Sequence, residues 1–352
     1  MLKVFLAPYV HTAQVERLAA FLLESGYSLL DYRPQAELVK LLWSKVDAQR
    51  LVFQPVDVLY RHRPKSTVAH SEMDLLGAIS QFARQGITRI VVKSAAAVGG
   101  AGVFFLDSTS VRSGSLRQDF LLEIGQNEAD RSAPFLIEER VQSDVSPTVD
   151  IEVTRIGRVK LVGVALQRLY DDRYYTGFYA SPTLEKRWWF RRVRMLARVV
   201  GDRLADLGYV GPANVDFVVS SAARRITLIE VNPRRSALID GFSLRQMKYG
   251  SVHNVSISVA DYVNISERFR GIEDAFDASS KNANGLYVVP VADGGFSSSF
   301  RWAGVWAVGI NSSDSEDILE DAVLQLQDPE RDEIGVAERN SRSFERISEN
   351  AA

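Results

Sequence analysis

The stretch Thr227-Leu-Ile-Glu-Val-Asn-Pro-Arg-Arg235, preceded by Val215-Asp-Phe-Val-Val219, decides how this chain reads. Both are short apolar runs of β-formers that carry acidic or amide side chains, a pattern that predicts two paired strands. Strand alternation puts Glu230 and Asn232 on one face, because successive side chains point to opposite sides. If the runs pair as a hairpin, with Arg224 and Arg225 in the connection, Asp216 comes near Glu230 on that face. Two carboxylates and an amide oxygen, with Arg234 beside them, make a hard-oxygen set suited to Mg2+ and phosphate. A hairpin with solvated polar side chains and a Pro-Arg turn would use the same residues, so the rest of the chain must decide between the two.

Upstream, Ile90-Val-Val-Lys-Ser-Ala-Ala-Ala-Val-Gly-Gly-Ala-Gly-Val-Phe-Phe-Leu106 holds Lys93 at the end of one apolar run and Gly99, Gly100 and Gly102 before another. A dinucleotide fingerprint needs a helix after its glycines, and a P-loop needs Gly-Lys followed by Ser or Thr. Neither is present. What remains is a strand, a loop and a strand, whose glycines let backbone N–H groups fold over phosphate oxygens without Cβ obstruction. A plain hairpin with a glycine-rich tip is the alternative. Phe135-Leu-Ile-Glu-Glu-Arg-Val141 is a further strand ending in charged residues, and Arg168 ends the strand Val162-Gly-Val-Ala-Leu-Gln167.

Taken in order, these motifs resemble those of the ATP-grasp ligases, over roughly Ser71 to Leu326. The resemblance implies an α/β (α+β) fold, with two lobes sandwiching ATP behind a short N-terminal α/β unit. It divides the chain into residues 1–70 (the N-terminal unit), 71–142 (a small lobe with the glycine loop), 143–326 (a large lobe with the metal site and an end piece) and 327–352 (a charged tail). It also assigns roles. Asp216, Glu230 and Asn232 would hold Mg2+, or Mn2+ in its place, on the ATP phosphates. Lys93 and the glycine loop would contact the nucleotide. Glu138 and Glu139 would flank the adenine, and Val141 would bond it through the backbone. Asp144 would hold the ribose, although Ser146 lies closer to the expected place. The family pattern has Pro after the lysine, where this chain has Ser94, and Lys65 is the nearest candidate for a second nucleotide lysine. Arg168, ahead of Arg173, is the expected phosphate cation. Arg234 would hold the transferred phosphate or the acyl carboxylate, with Arg235 less favoured because alternation turns it away.

The implied activity is amide formation between a carboxylate, activated as an acylphosphate, and an amine, with release of ADP and phosphate. Glu-Val-Asn-Pro-Arg behind a short α/β unit looks closest to amino-acid or peptide ligases. The same grasp can instead phosphorylate a small molecule as a kinase, or bind a nucleotide without catalysis.

Composition excludes several other classes. The chain has 352 residues, 46% of them hydrophobic and 24% charged, which suits a globular protein of two or three lobes. A net charge of -2 gives no bulk electrostatic case for nucleic acid or membrane. The absence of cysteine removes disulfides and thiolate metal sites and fits a reducing cytoplasm. His11, His62, His70 and His253 are scattered, with no zinc-binding pair. The stretch Val4 to Val10 is too short and too soon followed by charge to be an export signal, and no run reaches membrane-spanning length. A cytoplasmic enzyme of small carboxylates and amines, able to form a homodimer, is the expectation. Arg187, Arg191, Arg192, Arg194, Arg198 and Arg203 look like an RNA-binding helix, but Trp189, Leu196, Val200 and Leu204 recur at helical spacing and leave the arginines a solvated face.

Along the remainder, strands are expected at Leu2–Leu6, Ser28–Leu30, Leu51–Phe53, Val56–Tyr60, Ile87–Lys93, Val103–Leu106, Phe135–Glu139, Val149–Thr154 and Val159–Leu166. Helices are expected at Thr12–Ser25, near Gln35–Trp43, at Ser71–Gln85 and at Leu184–Leu207. Asp171–Tyr179 reads as a polar, aromatic loop, and Ser280–Gly285 as a loop before a final β/α portion.

Overall fold

The computed structural model describes residues 3–6, 8, 10–30, 35–95, 102–109, 134–236, 238–239, 241–242, 256–264, 288–293, 302–309 and 312–326. Two compact units are present: Met1–Asp144 with Val149–Val162 and Arg192–Ser236, and Val145–Thr148 with Gly163–Arg191 and Ala237–Ala352. Gly99, Gly100, the expected loop at Ser280–Gly285 and the tail from residue 327 lie outside the described residues.

The first unit opens with β1 (Lys3–Phe5), α1 (Ala13–Glu24) and β2 (Ser28–Leu30), the two strands pairing in parallel. Thr12 caps α1 by accepting from the Val15 N–H, and Gly26 leaves it at φ +85°, a left-handed turn that glycine enters without strain. Then come α2 (Ala36–Trp43), α3 (Lys45–Ala48), a wide helical turn at Gln49–Phe53 and α4 (Asp57–Tyr60). Here the structure corrects the sequence reading: Leu51–Phe53 and Asp57–Tyr60 are helical, and of the two expected strands only Val56, which precedes α4, is extended. A run of three to five apolar residues does not fix a period; Val52, Phe53 and Leu59 are buried from helical turns.

The following elements are β3 (Ser66–Ala69), α5 (Glu72–Arg84), β4 (Arg89–Ser94), β5 (Val103–Asp107) and β6 (Phe135–Glu139). The strands form an antiparallel sheet in the order β3-β6-β4-β5. Ser71 caps α5, as the sequence predicts. Leu75, Ile79 and Phe82 of α5 pack on Ile90, Val92, Phe135 and Ile137. Burial of each such side chain contributes about 1.5–3 kcal/mol. Because side chains alternate, this leaves Val91, Lys93, Leu136 and Glu138 on the opposite face of the sheet.

Later in the chain lie β7 (Pro147–Val153), β8 (Val159–Tyr170), β9 (Tyr174–Ala180), α6 (Phe190–Asp206), β10 (Gly211–Ser220) and β11 (Arg225–Asn232). In the first unit the strand order is β11-β10-β7. α6 buries Val193, Leu196, Ala197, Val200 and Leu204, while Arg191, Arg192, Arg194 and Arg198 are exposed, as the solvated-face reading expects. A Cβ at Gly201 would lie 2.6 Å from a Val159 methyl, so glycine lets this helix lie close on the strands. The helix begins at Phe190 rather than Leu184, because Pro182–Lys186 forms a separate 3-10 turn capped by Ser181.

The second unit carries the strand order β8-β9-β12-β14-β13, with β12 (Ser256–Asn264), β13 (Val288–Asp293), β14 (Trp302–Gly309) and α7 (Ser312–Leu326). β8 runs on to Tyr170 and turns at Asp171 and Asp172, both at positive φ, into β9. Residues 174–179, expected in a loop, therefore lie in a strand. Tyr179 and Phe178 bury against the unit's core, and aromatic, β-branched runs suit a pleated surface. α7 packs Leu319, Ala322, Val323 and Leu326 against Ala260, Val263, Val305 and Ala307.

Candidate active site

β10 and β11 form the predicted hairpin. Asn214 stands opposite Asn232 and Asp216 opposite Glu230, with a bulge just after Asp216. The pairing thus brings all three predicted metal ligands to one face, because the opposed residues of an antiparallel pair share a side. The Asn232 amide nitrogen donates to an Asp216 carboxylate oxygen at 2.9 Å and approaches the Asn214 amide oxygen at 3.4 Å. Asn214 in turn donates to Asp150 at 2.8 Å, and the Ser236 hydroxyl donates to the other Asp150 oxygen. Sequence reasoning missed Asp150, a fully buried carboxylate on β7 whose run Thr148-Val-Asp-Ile151 carries no distinguishing spacing.

Glu230 faces Lys45, with Nζ 3.0 Å from Oε1. Burial pushes the Glu230 carboxyl up, but Lys45, Lys93 and Arg234 together outweigh it and hold the group below its ordinary range. An ionised Glu230, Asp216 and the Asn232 oxygen, whose amide nitrogen is engaged within the row, are all hard donors. That chemistry fits Mg2+. Among the described residues no group of three or more His, Cys, Asp or Glu side chains is placed to hold a metal ion, so the set rests on two carboxylates and an amide.

Lys93 and Glu138 meet on the neighbouring sheet. Lys93 stands opposite Leu136 and Val91 opposite Glu138, which makes Lys93 and Glu138 diagonal neighbours on one face; they pair at 2.6 Å. The second oxygen of Glu138 accepts from Arg63. Glu138 is 1% exposed, and its carboxylate is engaged by two cations. Glu139 is half-buried, with Arg225 at 4.0 Å and its N–H on Lys65 O. Val141 follows in the irregular stretch after β6. The Asp144 carboxylate accepts from the Ser221 N–H at 2.6 Å, capping the β10–β11 turn. Gly102, at φ +68°, accepts from the Ser94 N–H and closes the β4–β5 hairpin. Lys65 is exposed, and only its backbone carbonyl is recorded in contact with these groups, accepting from the Glu139 N–H.

A small pocket joins the two strand pairs, lined among others by Trp43, Lys45, Phe53, Arg63, Lys93 and Glu230. Lys45 and Arg63 are the cations that sequence reasoning missed. Lys45 is the first residue of α3, behind the cap in which Ser44 accepts from Asp47 N–H, and its own N–H bonds Ala95 O at the end of β4. Ser-Lys opening a short helix was the available signal, but the helix itself was not foreseen.

Arg234 follows β11, where its N–H bonds Asn232 O and its guanidinium donates to Arg235 O at 3.2 Å. Arg235 is half-buried. In the second unit, Arg168 lies inside β8 rather than at its end, opposite Gly177, and pairs with Glu316 at 3.2 Å. Burial lowers its pKa to about 10, with Glu316, Tyr179 and Tyr175 opposing. Arg173 pairs with Asp171 and lies over the Tyr174 ring at 4.6 Å.

Neither a protein-family model nor the sequence of a curated protein matches the chain. Solved structures do. An N5-carboxyaminoimidazole ribonucleotide synthetase in complex with ADP is similar at a TM-score of 0.59 and 14% identity, over 88% of this chain and 76% of that one. A biotin carboxylase from Campylobacter jejuni, complexed with an ATP form, is similar at a TM-score of 0.56 and 11% identity, over 93% and 79%. The biotin carboxylase domain dimer of a Hydrogenobacter thermophilus 2-oxoglutarate carboxylase, complexed with MgADP, ADP and bicarbonate, is similar at 0.55 and 13%, over 87% and 70%. The chain has the ATP-grasp fold of these enzymes, as its motifs implied. Among the described residues no helix is long and apolar enough to cross a membrane.

Proposed function

We propose that the protein is an ATP- and Mg2+-dependent ligase that joins a carboxylate to an amine and releases ADP and phosphate. The observation that carries this reading is the face on which Asp216, Glu230 and Asn232 meet, with Lys45 and Lys93 in the pocket beside Glu230. Glu230, Asp216 and Asn232 would hold the metal ion, which when bound neutralises charge between the outer phosphates. Lys45 and Lys93 hold phosphate oxygens. A substrate carboxylate oxygen attacks the γ-phosphorus and ADP leaves; the amine nitrogen then attacks the acyl carbon, phosphate leaves and the amine loses a proton. Positioning and charge neutralisation supply the rate enhancement, so no nucleophilic side chain is required. Arg234 holds the transferred phosphate or the acyl carboxylate. Val141 and its neighbours read the adenine through the backbone, while Glu138 serves as the counter-charge of Lys93.

The carboxylate is an amino acid or small peptide on the Glu-Val-Asn-Pro-Arg pattern, whereas bicarbonate appears in one of the similar structures. A panel of amino acids, dipeptides and bicarbonate, each with and without an amine, assayed for ADP release and product mass, tests the reading. Amine-dependent amide or carbamate formation supports it. Phosphorylated product without need of an amine would make the protein a kinase instead.

A further inference from the structure

Arg63 has no part in the chemistry above, yet all three of its guanidinium nitrogens are bonded beside the pocket. Its guanidinium is buried and donates from Nε to Gln49 Oε1 at 2.9 Å, from Nη1 to Leu228 O at 2.7 Å and to Ile229 O, and from Nη2 to Glu138. It also stacks 4.6 Å from the Phe53 ring centre. These contacts tie the turn after α3, which carries Lys45, to β6, which carries Glu138, and to the backbone just before Glu230. A planar donor fork suits such a junction; a lysine's single ammonium would not span it.

The charges beside it set up an exchange. Both lysines of the pocket are held by carboxylates, Lys93 by Glu138 and Lys45 by Glu230. A lysine that turns from its partner toward a phosphate gives up part of that ion pair, and a carboxylate as buried as Glu138, at 1% exposure, is costly without a counter-charge. Glu138 has a second cation on its other oxygen, and that cation is fixed by three further acceptors. We propose that Arg63 is a positioning residue: the permanent counter-charge of Glu138, which lets Lys93 move from carboxylate to nucleotide phosphate. This rests on the nucleotide reading of the site.

The test is ATP affinity, measured calorimetrically on folded wild-type, Arg63→Met and Arg63→Met/Glu138→Gln proteins, with thermal midpoints recorded separately. Arg63→Met leaves Lys93 as the sole partner of a buried carboxylate, so ATP binding is expected to weaken about tenfold or more, one factor of ten in affinity being about 1.4 kcal/mol. Neutralising Glu138 as well removes the need for a counter-charge and should restore affinity to within about threefold of wild type by the same scale. Thermal midpoints should fall in both variants, because Leu228 O and Ile229 O lose their donor, so a fold-only role lowers the midpoint without the rescue. Wild-type affinity in Arg63→Met, or a double mutant as weak as the single, overturns the proposal. If Arg63→Met does not fold, the double mutant decides alone: binding about tenfold weaker than wild type overturns it. A wild-type protein that binds no ATP would instead break the functional reading itself.

Discussion

Two strand pairs each present a glutamate to a lysine, and they differ in how completely the charge is closed. On β4–β6, Glu138 is sealed between Lys93 and Arg63 with both carboxylate oxygens engaged. On β10–β11, Glu230 has one lysine, keeps 28% side-chain exposure, and stands beside Asp216 and Asn232. Burial with Arg63 fixed on one oxygen makes Glu138 a piece of architecture, whatever Lys93 does on the other. Partial exposure among other oxygen donors makes Glu230 a group that can accept a cation. Two glutamates at strand ends, alike in sequence, are separated only by what the fold packs against them.

That contrast is most easily broken by removing each carboxylate. Glu138→Ala strands Arg63 and Lys93 as buried cations, so unfolding free energy from denaturant titration should drop by about 3–5 kcal/mol. A change indistinguishable from an exposed-site substitution would show that the sealed pair is not structural. Glu230→Gln should cost less stability but reduce ATP turnover on the order of a hundredfold or more, since the metal ion loses a charged ligand. Asp216→Asn should behave alike, and the double mutant should be little worse, because groups acting as one unit are not additive. Near-normal turnover in Glu230→Gln would remove the metal assignment.

Lys93→Ala and Lys45→Ala should each weaken ATP binding about ten- to hundredfold, the worth of a charge-assisted contact of about 1.5–3 kcal/mol. Unchanged affinity in a folded variant would take that lysine out of the site. The smallest expected effect concerns acid. The Glu230 carboxyl lies below its ordinary 4.5 because three cations outweigh its burial. A depressed carboxylate contributes stability that is complete above the unfolded pKa and is lost as pH falls through the folded one. Wild type should therefore lose more stability than Glu230→Gln as pH is lowered below about 4.5. Parallel curves for the two proteins would show that Lys45 and Lys93 do not stabilise the ionised form.

The β10–β11 hairpin was readable because its information is local: alternation fixes the face, and a short connection fixes the partner. Lys93 was readable because glycines mark the loop that follows it. Lys45 and Arg63 were not, since residues 35–65 hold short apolar runs in which strand and helix patterns coincide, and both side chains matter only through partners far along the chain. Asp150 was hidden for the same reason; its partners Asn214 and Ser236 lie beyond any local window. The opposite error occurred at Arg168, where a strand end was expected and β8 continued, burying the guanidinium against Glu316.

The metal site stands or falls most directly on whether Glu230 couples metal to nucleotide. ATP binding should be titrated calorimetrically with and without Mg2+ on wild type and on Glu230→Gln. Mg2+ is expected to tighten ATP binding to wild type by about tenfold or more and to have little effect on the variant. Equal ATP affinity with and without Mg2+ in the wild-type protein would contradict the assignment of Asp216, Glu230 and Asn232 as its metal site.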